Sequence, residues 1–105
     1  MDNKILQTYK NNEKVVIYVR SSWSGKCVET DNIIKKVKEN KAYSEDTVIV
    51  TADFDEYKDN FIELGVRLNP SIILLKYGKI ENITNDIFGV SQIQSLIKET
   101  FEPQY

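Results

Sequence analysis

The sequence predicts a three-layer α/β domain built on a four-stranded mixed sheet. Three observations carry this. Two short runs, Val15 to Val19 and Ser71 to Lys76, are apolar on both faces, as strands covered from each side are. Segments with apolar residues at helical spacing lie before, between and after them. The resulting order is helix, strand, helix, strand, helix, strand, strand, helix, with no repeat, linker or low-complexity stretch.

Taken in order, Ile5, Leu6 and Tyr9 mark a short first helix over residues 2–11, capped by Asp2 and ended by Asn11 and Asn12. Lys14 to Arg20 is the central strand. After the turn Trp23-Ser24-Gly25-Lys26-Cys27, a second helix runs to about Lys41. Ser24 is its expected cap, Val28, Ile33, Ile34, Val37 and Ala42 point inward, and Glu29, Asp31, Lys35, Lys36, Lys38 and Glu39 point outward. Asp46 and Thr47 open a strand over Val48 to Ala52. A third helix spans about Glu56 to Leu64 and closes at Gly65. Pro70 starts the strand Ser71 to Lys76, where a proline is tolerated. Tyr77-Gly78-Lys79 is a tight turn into an edge strand, Ile80 to Ile83. Beyond the connector 87–90, Ser91 and Gln94 make a capping box for a last helix with Ile93, Leu96, Ile97 and Phe101 inward, followed by a frayed tail, 102–105. A right-handed crossover sets the first two strands parallel, and the hairpin adds an antiparallel partner.

Composition removes whole classes of function. The 105 residues form a single domain, 1–105, with 41% apolar and 29% charged residues and a formal net charge of −2. Scattered basic residues in a mildly acidic chain give no nucleic-acid footprint. A single cysteine offers neither an internal disulfide nor a zinc cluster, and the absence of histidine removes the commonest general base and metal ligand. No metal or cofactor is expected. No run approaches the roughly 20 apolar residues of a membrane span, and the first residues carry no secretory signal, so the expectation is a cytoplasmic monomer without membrane contact.

Four landmarks, in this order and at these separations, resemble the thioredoxin family over nearly the whole chain. Val15 to Val19 leading into Trp23-Ser24-Gly25-Lys26-Cys27 is similar to the family's strand leading into W-C-G-P-C. Asn69-Pro70-Ser71 before an apolar strand is similar to its cis-proline segment, Lys76 to Lys79 to its hairpin, and Phe88-Gly89-Val90 to its groove-lining glycine. The resemblance implies a thioredoxin-like fold that lacks the usual first strand, since only about a dozen residues precede Val15. It also implies a groove of Trp23, Gly25, Lys26, Asn69, Pro70 and Gly89 that takes an extended polypeptide or a protein thiol.

The departures from the family bear on mechanism. The family's nucleophilic first cysteine falls on Ser24, the motif proline on Lys26, the buried acid of the central strand on Tyr18, and the lysine near it on Thr51. A serine hydroxyl needs an adjacent base to react, and there is no histidine. The leading expectation is a thioredoxin-like protein without dithiol turnover that keeps the binding groove. Two others stand beside it: redox chemistry through Cys27 alone, favoured by Lys26 and the helix N-terminus, or a dithiol thioredoxin in which Ser24 replaces a native cysteine. Residue by residue, Cys27 is either a reactive thiol or a small buried hydrophobe, and Ser24 either binds through its hydroxyl or caps the helix. Trp23 is either an exposed anchor or core, and Arg20 either holds an acid or is solvated, solvation being expected.

Overall fold

A computed structural model describes residues 3–40, 47–67, 70–87 and 89–101. Their elements are α1 (Lys4–Thr8), β1 (Lys14–Arg20), α2 (Lys26–Asn40), β2 (Thr47–Asp53), a 3-10 turn (Phe54–Tyr57), α3 (Lys58–Glu63), β3 (Ser71–Lys76), β4 (Lys79–Thr84) and α4 (Val90–Phe101). The sheet order is β2-β1-β3-β4, with β1 parallel to β2 and antiparallel to β3, and β3 antiparallel to β4. This is the predicted four-stranded mixed sheet. Among the described residues no strand precedes α1.

The core is two separate layers because side chains alternate across a strand. Val15, Ile17 and Val19 of β1 face one side, with Ile73 and Leu75 of β3, and pack under Ile5, Phe54, Phe61 and Val66. Phe61 stacks on Phe54 at 6.2 Å between centroids and takes the edge of Tyr57 at 6.3 Å. Val16 and Tyr18 face the other side, with Ile72 and Leu74, and pack under Ile34 and Val37 of α2 and Ile93, Ile97 and Phe101 of α4. Each fully buried aliphatic side chain here contributes about 1.5–3 kcal/mol.

Several local expectations are corrected. Asn3 caps α1, its side chain accepting from the Ile5 amide at 2.9 Å, one residue after the predicted Asp2. Asn3 also donates to the Asn60 carbonyl and the Glu63 carboxylate, tying α1 to α3. The third helix splits into the 3-10 turn and α3, because Asp53 caps the turn by accepting from the Asp55 amide at 2.9 Å. The Ser91–Gln94 capping box does not form. Helix α4 begins at Val90, with the Ile93 amide already donating to the Gly89 carbonyl, so Ser91 lies inside the first turn, and Gln94 Nε2 is buried without a partner. Val28 points outward, 68% exposed, because the buried stripe of α2 is Cys27, Thr30, Ile34 and Val37. Gly65, at φ 94°, closes α3 as predicted. Asp2, Lys41, Ala42, Asp46 and the tail 102–105 lie outside the described residues.

At the hairpin, Tyr77 and Gly78 take φ of 51° and 74°, the two positive values of a type I′ turn. Gly78 is also pressed against α1: a Cβ there would stand 2.7 Å from Lys10 Cα and 2.8 Å from the Leu6 carbonyl oxygen. Backbone cannot yield as a side-chain tip can. Gly78→Ala should therefore cost about 1–3 kcal/mol in urea denaturation; an unchanged midpoint would contradict this close approach.

Candidate functional site

The turn 21–25 and Pro70 arrive at one end of the sheet. The strands force this. Val19 pairs with Ser71, so the exit of β1 and the entry to β3 at Pro70 lie side by side. Thr84, the end of β4, pairs with Ile72, and Asp53, the end of β2, pairs with Arg20. The turn 21–25, Pro70, the end of β4 and the 3-10 turn thus lie at the same end, where an α/β sheet presents its ligand crevice.

Trp23 is 66% exposed at this edge, and its indole N–H donates to Asp55 Oδ2 at 3.0 Å. The exposed reading of Trp23 holds, with an added fixture: Asp53 caps the turn that carries Asp55, and Asp55 aims the ring. Gly25 and Lys26 are exposed, Ser24 and Gly89 half-buried and Pro70 buried. Asn69 and Phe88 lie outside the described residues. Beside Ser71, a cavity of about 430 Å³ opens between the loop 64–67 and the ends of β3 and β4, lined by Val66, Arg67, Ile83 and Asn85 among others.

Cys27 opens the buried stripe of α2 and is itself 0% exposed. Its amide donates to the Ser24 carbonyl at 3.1 Å, so the first turn of α2 is anchored through the Ser24 backbone. A thiol in this place packs as a small apolar group.

The structure also holds a cluster that sequence reasoning missed. Tyr18, 1% exposed in the middle of β1, donates its hydroxyl proton to Asp31 Oδ1 at 2.7 Å, and the same hydroxyl lies 3.3 Å from the Cys27 carbonyl oxygen. Arg20 grips the same carboxylate with two parallel donors, Nε to Oδ1 at 3.0 Å and Nη2 to Oδ2 at 3.2 Å. Arg20 is therefore not simply solvated, and Asp31 is not simply an outer-face charge. The expected gap where the family keeps a buried acid is filled by a phenol whose acceptor comes from the facing helix. Burial above all, then the Asp31 hydrogen bond, raises the Tyr18 pKa, so the phenol stays protonated throughout the physiological range. The Asp31 hydrogen bond likewise strengthens the proton affinity of Arg20. A signal for Asp31 was present: it lies four residues after Cys27 and three before Ile34, one flank of the buried stripe.

The thioredoxin family model matches residues 2–100. The chain belongs to the thioredoxin family. Among solved structures, a mutant thioredoxin from Halobacterium salinarum is similar at 19% identity and a TM-score of 0.77, over 97% of this chain and 87% of that one. A thioredoxin from Malassezia sympodialis is similar at 23% identity and 0.73, over 90% and 81%. A thioredoxin from Nicotiana alata is similar at 24% identity and 0.71, over 90% and 80%. At these identities the likeness is one of fold. No curated protein matches the chain.

The carboxylate of Asp31 serves two donors, so its loss should outweigh the loss of either. Asp31→Ala should cost about 1–3 kcal/mol, because it removes the partner of Arg20 and leaves the buried phenol only its longer contact with the Cys27 carbonyl. Tyr18→Phe, which leaves the half-exposed Arg20–Asp31 pair intact, should cost about 1 kcal/mol or less. Chemical denaturation of the two variants checks the order; Tyr18→Phe proving the costlier would contradict the assignment.

Proposed function

We propose that this thioredoxin-family protein binds an extended polypeptide across the end of its sheet and does not perform dithiol disulfide reduction. The observation that carries this is the state of sulfur in the chain: the one cysteine, Cys27, is 0% exposed, and Ser24 stands at the motif's nucleophile position. Thiol–disulfide exchange requires an attacking thiolate that reaches the target sulfur and a second thiol to resolve the mixed disulfide. A buried single thiol meets neither need.

The groove would consist of Trp23, Gly25, Lys26, Asn69, Pro70 and Gly89. The partner's backbone would pair beside Asn69, ahead of a cis peptide bond at Pro70, as strands add to a sheet. The fixed, exposed indole of Trp23 supports the reading, because a rigid aromatic loses little entropy on binding. The protein would act as a monomer in the cytoplasm, where a free thiol persists. Tyr18 and Thr51 at two further positions of the family's mechanism support a loss of redox chemistry deeper than one substituted atom.

The expected result in an insulin-reduction assay with excess dithiothreitol is no rate above the reductant alone. Ser24→Cys should leave it there; a robust gain of turnover would show a working dithiol site and overturn the proposal. Trp23→Ala should weaken a bound extended peptide by about tenfold or more, measured by anisotropy of the labelled peptide. Cys27 should be alkylated by iodoacetamide far more slowly in native protein than in urea. Equal rates would instead favour a redox role through that thiol.

A further inference from the structure

The hairpin tip between β3 and β4 lies at the end of the sheet where β1 begins, opposite Arg20 and Pro70. It carries two features that destabilise it. The first is Tyr77, which takes φ 51° at the first position of the type I′ turn, where glycine and asparagine sit with least strain. Its amide donates to the Asn12 and Glu13 carbonyls, as the amide of almost any residue could. The side chain does nothing comparable: the ring is 58% exposed, and neither it nor its hydroxyl has a partner among the described residues. The second feature is a row of like charges, Lys14 opposite Lys76 and Lys76 opposite Lys79 in the antiparallel registers. Like charges directly across a sheet repel.

Register and turn geometry gather cations that lie far apart along the chain. Lys76 and Lys79 extend from the face of the sheet that carries Ile72 and Leu74. Lys10 approaches from the other face, its backbone against Gly78. The tip is thus bracketed by Lys10 and Lys79, both exposed, and by the half-buried Lys76, and none of these has an ion pair among the described residues. Lys14 is buried and stands 3.9 Å from Glu13, so that pair lies outside the exposed surface. Glu81, at the bulge, is the only acid of β4 and does not balance the three lysines.

We propose that the hairpin tip docks a short acidic segment of a partner protein, its carboxylates spread over Lys10, Lys76 and Lys79 and an apolar side chain on the Tyr77 ring. Charge complementarity selects the acidic partner, and an exposed aromatic held by a tight turn is the kind of anchor that interfaces use. A chain of net charge −2 is repelled as a whole by an extended polyanion such as a nucleic acid or an anionic bilayer. A short segment meets only the local field, within a Debye length of about 10 Å. The surface is independent of the proposed groove, which lies at the other end of β1 and β3.

The test is an NMR titration of the full, 15N-labelled chain with a short glutamate-rich peptide carrying one leucine and capped at both ends. The same peptide with glutamine for glutamate supplies a charge-free arm, and a short DNA duplex and phosphatidylserine vesicles supply the other polyanions. The expected result is saturable shifts at the amides of Lys10, Tyr77, Gly78 and Lys79 with the glutamate peptide, weakened by added salt and about fivefold weaker or absent with the glutamine peptide. Tyr77→Asn relieves the turn, so it should keep or raise the urea midpoint while weakening binding by about fivefold. That split separates recognition from folding. Lys79→Gln, at an exposed position, should weaken binding by about threefold at low salt. Four results would overturn the proposal: no saturable shift up to about 10 mM; equal affinity for the glutamine peptide; binding that either variant leaves unaltered; or tighter binding to the duplex or the vesicles than to the peptide.

Discussion

Everything in this molecule is referred to the burial of β1. Its residues from Lys14 to Val19 are buried, it is hydrogen-bonded to β2 on one side and β3 on the other, and both of its faces are covered. A strand in that position must have helices above and below it, which makes the domain three layers deep. It must also deliver its C-terminal end to the surface abruptly. The chain leaves β1 at Arg20 and within three residues exposes Trp23, then turns at once into α2. The crevice at the sheet end is a consequence of this geometry before any chemistry is considered.

Burial of β1 sets a second condition, through Tyr18. A phenol hydroxyl inside an apolar layer is costly unless it finds an acceptor. Its acceptor comes from the facing helix α2, where Asp31 provides it. Asp31 in turn is charged at the margin of the core and is matched by Arg20, two residues beyond Tyr18 on the same face of β1. Tyr18, Arg20 and Asp31 are best understood as one unit. They pin the first turns of α2 to the central strand, directly beneath the turn that carries Ser24 and Cys27. The residue of β1 beneath that turn is a phenol that holds its proton.

Much of this is legible from residues alone, and what fails is instructive. The strands at 14–20 and 71–76 announce themselves because burial on two faces leaves an unbroken apolar run, which neither an amphipathic helix nor a half-exposed strand produces. The turn at Tyr77-Gly78 follows from the backbone that glycine permits. Helix ends are less legible: Asn3 and Asp53 take capping roles, and Ser91 gives up the one expected of it. Several short polar residues within one turn can each satisfy the same amides, and packing of the helix on the sheet chooses among them. Val28 misleads because an apolar residue at roughly the right spacing is no proof of facing inward, and here Cys27 and Thr30 hold the inward line.

The sequence by itself determined the order of elements, the central strand, the family and the absence of a cysteine pair, since each of these depends on local pattern or on residue counts. Only the tertiary structure decided that Cys27 is wholly enclosed, that Asp55 aims Trp23, and that Asp31 reaches Tyr18 and Arg20. Each of these joins residues from separate elements, and a partner across the fold is fixed by how helices settle on the sheet rather than by spacing along the chain.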